Sequence, residues 1–354
     1  MSNLSKKYFE YSGIVHIHST YSDGSLPIPK IAKIANELDV NFLLFTDHNT
    51  LQPKFDGLEG WYGKILVGVG CEINDVSDMN HYLAFDIDEE ISSELAPNEY
   101  VCRVREKGGF GIIAHPDEKR TAMPEYPPYP WTVWDSDCYD GIEIWNQMSE
   151  WMEGLTHSNK YWRAVHPRKS ILAPNAEALA RWDELNLNKK ILGIGGVDAH
   201  GHIYKLWGLF RITIFRYKVL FKTIRTHVLI PEQLSGQKDY REDLKKIYNA
   251  MRNSNVFISN HYIGDAGDFL AWLENKNDQV IIGETIALDE KTKLCVKNPL
   301  RAKTVLIKNG IPEDEAESNE IEFKISAPGV YRVESHLANR PWIYSNHLRV
   351  TDKK

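Results

Sequence analysis

The chain has 354 residues, of which 42% are hydrophobic and 26% charged, as is usual for a folded globular protein. Its formal net charge is −7 and no basic run or stripe is present, so nucleic acid is not expected as a partner. No apolar segment approaches the roughly 20 residues of a membrane-spanning helix, and the N-terminus lacks the apolar core of a signal peptide. The sequence therefore predicts a cytoplasmic protein without a membrane partner.

Residues 1–250 alternate short apolar runs with helical patterns. The apolar runs predict strands in SGIVHIH, NFLLFTDHN, KILVGVGCEI, HYLAFDI, GFGIIAHP, DGIEIWN and ILGIGGVDAH. The helical patterns include PIPKIAKIANEL, PNEYVCRVREKGG and PNAEALARWDEL. This alternation is typical of a parallel α/β sheet with helical crossovers, and about seven units favour a barrel over an open sheet. The segment 123–134, rich in proline and aromatic residues, is expected to form an ordered loop over one end of that barrel.

The pattern changes near residue 250, after the helical segment REDLKKIYNAMRNS. Short alternating segments follow at about ten-residue spacing, among them VFISN, QVIIGETI, TKLCVK, AKTVLIKNG, IEFKI and GVYRVESHL. Such spacing is typical of an antiparallel β-sandwich. The sequence therefore predicts a larger domain over 1–250 and a smaller β-sandwich-like domain over 251–354.

Polar side chains follow several of the predicted strands. His16 and His18 end the first strand two residues apart, so both imidazoles are expected on one face of it. The others follow later strands: Asp47, His48, Glu72, His115, Asp198 and His200. Because ligands of parallel α/β folds gather at the carboxyl ends of the strands, these residues are expected to form one site.

Many imidazoles and carboxylates in one cavity would be costly to desolvate without a cation. Histidine, aspartate and glutamate without thiolate suit zinc, manganese or iron. The four cysteines have no paired spacing and are expected to be reduced: Cys71, Cys102, Cys138 and Cys295. Five histidines are assigned structural roles, the commoner role of a single histidine: His157, His166, His227, His336 and His347.

Five motifs, in this order, resemble those of the PHP (polymerase and histidinol phosphatase) superfamily of metallohydrolases: HIHSTYSDGS, FTDHN, GCEI, IAHP and GVDAHG. The match spans residues 14 to about 202. The resemblance implies a distorted (β/α)7 barrel that holds three divalent ions at the carboxyl ends of its strands. The segment GVYRVESHLANRPWIYSNHLRV is similar to the C-terminal segment of the CehA/McbA-like branch, which couples the barrel to a small β-domain.

The resemblance also implies a ligand set for three ions of manganese, zinc or iron. The first ion would be held by His16, His18, Glu72 and Asp198. Glu72 would bridge to a second ion, which is completed by His81 and His115. The third ion would be held by Asp23, His48 and His200. Asp23 stands where other members carry histidine, which favours a harder ion such as Mn²⁺; His81 has a structural role as its alternative.

Further residues are candidates for roles around these ions. Asp47 is expected to orient an imidazole. Asp198, His200 and His202 are the candidates for passing a proton to the leaving group. The candidate substrate-binding residues are Lys119, Arg120 and Glu143. Lys119 and Arg120 would otherwise be a solvated surface pair, and His202 and Glu143 would otherwise support the ligands.

Two ions about 3.5–4 Å apart can share a hydroxide that attacks phosphorus or a carbonyl carbon. The first functional hypothesis is therefore a metal-dependent phosphoesterase acting on a small phosphorylated molecule. An aryl ester or carbamate hydrolase is the alternative within hydrolases, since the CehA-like branch includes such activity. A non-catalytic metal-bound scaffold is the alternative from another class. All nine proposed ligands precede residue 201, so the C-terminal domain is expected to shape the substrate entrance and to supply no metal ligand. His261 is the residue of that domain that could be an exception.

Overall fold

The structure of the protein is a computed structural model that describes residues 7–120, 122–206 and 210–352. The strands are β1 (Phe9–Ile17), β2 (Phe42–His48), β3 (Gly60–Tyr62), β4 (Ile65–Ile73), β5 (Tyr82–Phe85), β6 (Phe110–Ile113), β7 (Gly141–Asn146), β8 (Leu192–Gly196), β9 (Ile203–Leu206), β10 (Phe210–Thr213), β11 (Ile224–Ile230), β12 (Val256–Asn260), β13 (Leu270–Glu274), β14 (Gln279–Ile281), β15 (Thr285–Ala287), β16 (Lys293–Lys308), β17 (Ile311–Lys324), β18 (Gly329–Leu337), β19 (Arg340–Ser345) and β20 (Leu348–Thr351). The helices are α1 (Ile28–Ala35), α2 (Gln52–Phe55), α3 (Pro97–Glu106), α4 (Gln147–Glu153), α5 (Lys160–Val165), α6 (Ala176–Asn188), α7 (Tyr217–Leu220) and α8 (Tyr240–Arg252), with a 3-10 helix at Pro167–Ser170.

The predicted α/β fold is confirmed, as a mixed sheet. β1, β2 and β4 pair in parallel, as do β6, β7 and β8. β5 runs antiparallel to both β4 and β6. The reason is the short connection 74–81 from β4 to β5, since a parallel pair needs a crossover of a dozen residues or more. β4 is buried along its whole length, which explains why its sequence is apolar on both faces.

β1 and β8 are the two strands that a closed barrel would join. β11 pairs antiparallel with residues 9–13 of β1 and so occupies the strand edge that β8 would need there. Beyond that point, an isolated parallel bridge between Ile17 and Ala199 links the two sides. Thr226 of β11 fills the remaining gap, because its hydroxyl accepts from the N–H of Gly195 at 3.0 Å and donates to its carbonyl at 2.7 Å. The ladders form no closed ring, so the predicted (β/α)7 barrel is not confirmed.

The sheet continues across the predicted domain boundary. α8 ends at Arg252, close to the boundary predicted at residue 250, but β12 pairs with β11 on one side and with β19 on the other. The C-terminal strands enclose a hydrophobic core of their own, which includes Phe323, Tyr331 and Trp342. Because the ladders join β12–β20 to the N-terminal strands, a separate β-sandwich is not confirmed, and the division at 250 stays a prediction.

The expectation of four reduced cysteines is wrong for one pair. Cys102 on α3 and Cys138 in the loop before β7 form a disulfide, with their Cα atoms 4.9 Å apart. Cys71 and Cys295 are free and buried, as expected. The pair is 36 positions apart along the chain, and only the packing of α3 beside β6 and β7 brings the two thiols together. No helix of the described residues is long and apolar enough to cross a membrane.

A buried ionic network joins the N-terminal and C-terminal parts of the sheet. Arg332 on β18 donates two hydrogen bonds to the carboxylate of Asp183 on α6, at 2.6 and 2.7 Å. His347 lies 2.7 Å from the same carboxylate. Burial alone would raise the pKa of Asp183, but Arg332 and His347 outweigh it and lower that pKa to about 2.

We expect Arg332→Met to lower the free energy of unfolding by about 3–5 kcal/mol, because it leaves the Asp183 carboxylate buried and without its guanidinium partner. Urea unfolding at neutral pH measures this change. The matched control is Arg301→Met, whose exposed pair with Glu317 should cost less than about 1 kcal/mol. Equal small losses in the two variants would contradict the structural role of the network.

Candidate metal centre

Nine side chains converge at one end of the strands, and they are the nine that the sequence proposed as ligands. They fall into overlapping groups in which one ligand atom from each residue lies within 4.8 Å of the others. The groups are His18, Asp23, His48 and His200; His16, His18 and Glu72; His16, His115 and Asp198; and His48, Glu72 and His81. The structure therefore brings together residues that are up to 184 positions apart, without itself testing whether they bind metal.

The carboxylate of Glu72, near the end of β4, lies at the centre of the cluster. Its Oε1 is 2.7 Å from Nδ1 of His81 and 3.4 Å from Nε2 of His115. Its Oε2 is 3.0 Å from Nε2 of His16 and 3.1 Å from Nε2 of His18. Nδ1 of His48 lies 3.6 Å from Oε2 as well, so Oε1 faces two imidazoles and Oε2 faces three.

Glu72 is almost completely buried, and burial alone would raise its pKa. The imidazoles of His16, His48 and His81 outweigh burial and hold the pKa of Glu72 well below its usual range. The reciprocal effect acts on His81: burial would lower its pKa, but Glu72 and Asp78 raise it to about 10. The charge of this carboxylate therefore depends on cationic groups around it.

The backbone of the ligand segments is unusual. His16, His115 and Asp198 have positive φ angles of 65°, 29° and 51°. At His16 the pairing of β1 with β2 shifts register between Val15 and Ile17, which marks an irregularity in the strand. His16 and His18 both reach the cluster, with ring centroids 5.2 Å apart, but through this irregularity and not through simple strand alternation. Positive φ is costly for residues other than glycine and is concentrated at functional sites.

The three residues proposed for the third ion lie on the outer side of the cluster. Asp23 is half exposed and its Oδ2 is 3.2 Å from Nε2 of His200. Its Oδ1 is 3.9 Å from Nε2 of His48 and 3.7 Å from Nδ1 of His18. Burial would raise the pKa of Asp23, but the nearby imidazoles, His200 first, lower it. This part of the cluster is therefore accessible from solvent.

Asp198 and His200 follow β8, as predicted. Oδ1 of Asp198 is 3.5 Å from the Nε2 atoms of both His16 and His18, and 3.4 Å from Nδ1 of His200. The ring of His202 stacks on that of His200, with centroids 4.8 Å apart. Burial, followed by the charge of His200, lowers the pKa of His202 to about 4. The three proposed proton carriers therefore lie side by side.

Glu143 supports the cluster from behind. Its Oε1 lies 3.0 Å from Nδ1 of His16, and its Oε2 accepts hydrogen bonds from the backbone N–H of His115 and from Nδ2 of Asn146. A carboxylate that accepts from Nδ1–H leaves Nε2 of His16 free to act as a ligand. Of the two roles weighed for Glu143, the geometry favours support of a ligand over contact with substrate, and substrate binding by this residue stays untested.

Two further residues complete the site and were not anticipated. Asn146, the last residue of β7, also reaches Asp198 at 3.4 Å. The hydroxyl of Tyr217 on α7 donates to the backbone carbonyls of His18 and His200, each at 2.8 Å, and so ties their two segments together. The position of Asn146 at the end of a predicted strand was a usable signal, whereas the sequence around Tyr217 contains none.

Asp47 does not orient an imidazole as expected. Its carboxylate accepts hydrogen bonds from the N–H and hydroxyl of Ser19 and from the hydroxyl of Ser22, at 2.7–2.8 Å. As a residue of β2 next to His48, it points to the opposite side of the strand, and it holds the turn that carries Asp23.

Lys119 and Arg120 are both paired with carboxylates. Lys119 pairs with Glu177, and Arg120 pairs with Glu118 and lies over the ring of Tyr129. Lys119 borders a cavity of about 460 Å³ beside the cluster, which His115, Glu143 and Asn146 also line. Contact with substrate remains a prediction for both cations.

The loop 123–134 packs over the cluster, as expected. Tyr129 stacks on His81, with ring centroids 5.3 Å apart, and the N–H of Trp131 donates to the carbonyl of Pro116. The five histidines assigned to structural roles lie outside the cluster. Among them, His227 lies 2.7 Å from both Glu10 and Ser259. His261 lies 3.8 Å from Asp265 and belongs to none of the groups found in the described residues.

The donor atoms fit divalent cations. Within the cluster, four buried imidazole nitrogens have no hydrogen-bond partner in the described residues: Nε2 of His18, Nδ1 of His48, Nε2 of His81 and Nδ1 of His115. Outside the cluster, Nδ1 of His261 and Nδ1 of His347 also have none. Buried polar atoms normally find partners, so orphaned imidazole nitrogens among carboxylates are the pattern that a metal ion would complete. Cys71 is buried in the hydrophobic core and its thiol pKa is raised to about 12, so the set contains only nitrogen and oxygen donors.

Comparison with known proteins gives distant similarities. No protein-family model matches the sequence. The chain is 28% identical over 145 residues to the uncharacterized protein MJ1587 of Methanocaldococcus jannaschii, a match over 37% of this chain and 80% of that protein. Among solved structures, a two-domain protein from Bacteroides vulgatus containing a predicted PHP-like metal-dependent phosphoesterase aligns over 97% of this chain and 96% of its own, with 16% identity and a TM-score of 0.44. An amidohydrolase from Chromobacterium violaceum, with bound sulfate and no metal, aligns over 55% of this chain and 91% of its own, with 15% identity and a TM-score of 0.33.

Proposed function

We propose that this protein is a metal-dependent hydrolase and that it cleaves phosphoesters of small molecules. The observation that carries the proposal is the position of Glu72. Its Oε1 faces His81 and His115, and its Oε2 faces His16 and His18, with His48 further away at 3.6 Å. A carboxylate with ligands on both sides is suited to bridge two ions. The PHP-like motifs of the sequence support the same reaction class.

The ligand assignment is the one that the PHP-like resemblance of the sequence implies. Glu72, His16, His18 and Asp198 would hold the first ion, and Glu72 with His81 and His115 would hold the second. Asp23, His48 and His200 would hold the third. His18 also falls within reach of this outer group, but its Nε2 is 3.1 Å from Glu72 while its Nδ1 is 3.7 Å from Asp23, which favours the first ion. Manganese, zinc and iron all suit these donors.

Bound divalent ions would supply Lewis acidity and a water of lowered pKa. The residues of the chain then have separate tasks. Glu143 holds His16 by Nδ1, and Asn146 spans Glu143 and Asp198. Asp198, His200 and His202 line one side and would carry a proton to the leaving group. The half-exposed Asp23 marks the side from which the scissile group would enter.

Hydrolysis of an aryl ester or carbamate is the second candidate, and the adjoining cavity favours it. The carboxylates in the cavity wall outnumber the two cations Lys119 and Arg163; they are Asp117, Glu118, Glu143, Glu150, Glu153 and Glu177. The same wall includes apolar residues such as Trp145 and Leu172. An aromatic or uncharged leaving group suits this lining better than a leaving group that itself carries a phosphate. A non-catalytic scaffold has no specific observation in its favour, since all nine proposed positions carry a metal-binding residue type, including Asp23 in place of the usual histidine.

We expect metal-free protein to be inactive and Mn²⁺, Zn²⁺ or Fe²⁺ to restore hydrolysis. The measurement is a screen of phosphomonoesters, phosphodiesters, aryl esters and carbamates with chelated and with reloaded protein, alongside elemental analysis. Activity on phosphoesters supports the first candidate, and activity on esters or carbamates alone supports the second. Full activity after confirmed metal removal would exclude both.

Glu72→Ala should lose up to two metal equivalents per chain. The substitution removes a proposed ligand from two ions at once, and without the carboxylate the positive charges of those two ions would repel each other more strongly. His200→Ala and Asp23→Ala should each weaken only the third ion. Metal content per chain measures all three, with thermal unfolding to check the fold. The matched control is Asp243→Ala, a buried carboxylate outside the cluster, which should keep full metal content. Equal loss in the three ligand variants, or full retention in Glu72→Ala, would refute the assignment.

Glu143→Gln should weaken binding of the first ion by about 10–100-fold, since an amide fixes the Nδ1–H form of His16 less well than a carboxylate does. Metal titration monitored by elemental analysis after dialysis gives the affinity. The control is Glu118→Gln, another buried cavity carboxylate, which bonds Ser149, Arg120 and the N–H of Tyr129 and does not hold His16. The same loss in both variants would mean that Glu143 acts through general packing and not through His16.

A further inference from the structure

Residues 154–176, which we term the basic–aromatic segment, differ in charge from the rest of the protein. The chain contains 49 acidic residues and has a net charge of −7, yet this segment contains none. It contains four basic residues, Lys160, Arg163, Arg168 and Lys169. Neither Lys160 nor Lys169 is in an ion pair with a carboxylate of the described residues. A local positive charge on an acidic protein is the charge pattern expected where an anionic partner docks.

The same segment exposes large apolar side chains. Tyr161 is 70% exposed, Trp162 51%, Val165 73% and Leu172 65%. The first three lie on α5, none of whose residues is buried. Tyr161 and Val165 are four positions apart and Trp162 and Val165 three, so the three side chains share one face of the helix. Exposed apolar groups clustered in this way mark interaction sites.

The segment is held firmly, which makes this exposure a property of the folded protein. Arg163 donates to the carbonyls of Glu150 and Trp151 at 3.1 and 2.8 Å. The Glu150 carboxylate is turned inward, where it accepts from the indole N–H of Trp145 and from the N–H of Ala173. This carboxylate therefore does not neutralise Lys160 or Lys169. Further along, Arg168 and Arg340 both lie over the ring of Tyr262, which adds a cation from β19 to the same side.

We propose that the basic–aromatic segment binds the surface of anionic phospholipid bilayers, which departs from the sequence-based prediction of no membrane partner. Tryptophan and tyrosine prefer the headgroup region, and each nearby lysine or arginine is attracted by anionic lipid. The exposed aliphatic side chains of Val165 and Leu172 favour a bilayer over a nucleic acid. Such side chains can insert at the boundary between headgroups and acyl chains, but they offer no ring on which a base could stack. The segment lies on the membrane and does not cross it, which agrees with the lack of a spanning helix in the described residues.

Membrane binding through this segment would also place the cavity beside the metal centre near the bilayer. Arg163 and Leu172 also line the cavity of about 460 Å³ whose inner wall includes His115 and Asn146. Binding through the neighbouring exposed face would bring this cavity close to the lipid headgroups. The inference about binding itself does not depend on the proposed reaction.

The test is sedimentation of the full chain with vesicles of phosphatidylcholine, with and without about 30% phosphatidylserine. We expect binding to the anionic vesicles only, weakened by salt. Lys160→Glu with Lys169→Glu should reduce binding by about 30-fold or more. Val165→Ser should reduce it by about tenfold.

Matched controls lie elsewhere on the surface. Lys30→Glu with Lys64→Glu makes the same change in net charge at two exposed lysines, and Ile311→Ser replaces an aliphatic side chain that is 69% exposed. Both should leave binding unchanged. Equal binding to neutral vesicles, equal losses in the controls, or binding to single-stranded RNA but not to vesicles would overturn the proposal. So would a dimer in sedimentation velocity that Val165→Ser dissociates, because the face would then be a contact between two copies.

Discussion

The buried carboxylate of Glu72 is the constraint on which the rest of this site depends. An ionised carboxylate removed from water is stable only if cationic or hydrogen-bonding groups surround it on every side. Here imidazoles from β1, from the end of β2 and from the segments before β5 and after β6 supply that environment. β1, β2 and β6 must therefore end, and the antiparallel β5 must begin, at the same level, so the surroundings of one side chain fix the relative positions of four strands.

The C-terminal strands contribute to the same geometry at a distance. β11 and β12 continue the sheet away from β1, and Thr226 of β11 takes the hydrogen bonds that β8 would otherwise lack. Asp183, Arg332 and His347 connect α6 to the far strands. The position of β8 in the sheet, and with it that of Asp198 and His200, therefore depends on residues after position 224, such as Thr226. A boundary drawn from composition alone separates parts that share one sheet.

The convergence of the candidate ligands and most of the strands could be predicted from the sequence, because the strand signals are local and the PHP-like motifs lie at the strand ends. A histidine or carboxylate directly after an apolar run is visible without any tertiary information, and His16, Glu72 and Asp198 all stand there. Contacts that arise only in three dimensions left no such signal: the disulfide of Cys102 and Cys138, the role of Tyr217, and the placement of β11 against β1. The error over Asp47 has a related cause, since adjacent residues of one strand face opposite sides and spacing did not reveal which side held the imidazoles.

The left-handed backbone at His16, His115 and Asp198 has a consequence for protein design. An ideal barrel built from regular strands contains no such positions, because designed backbones avoid positive φ outside glycine. The same nine side chains grafted onto that scaffold would leave their strands at different angles, and the imidazoles would no longer meet around one carboxylate. A designer who wished to copy this centre would have to copy its irregular backbone first and choose the side chains afterwards.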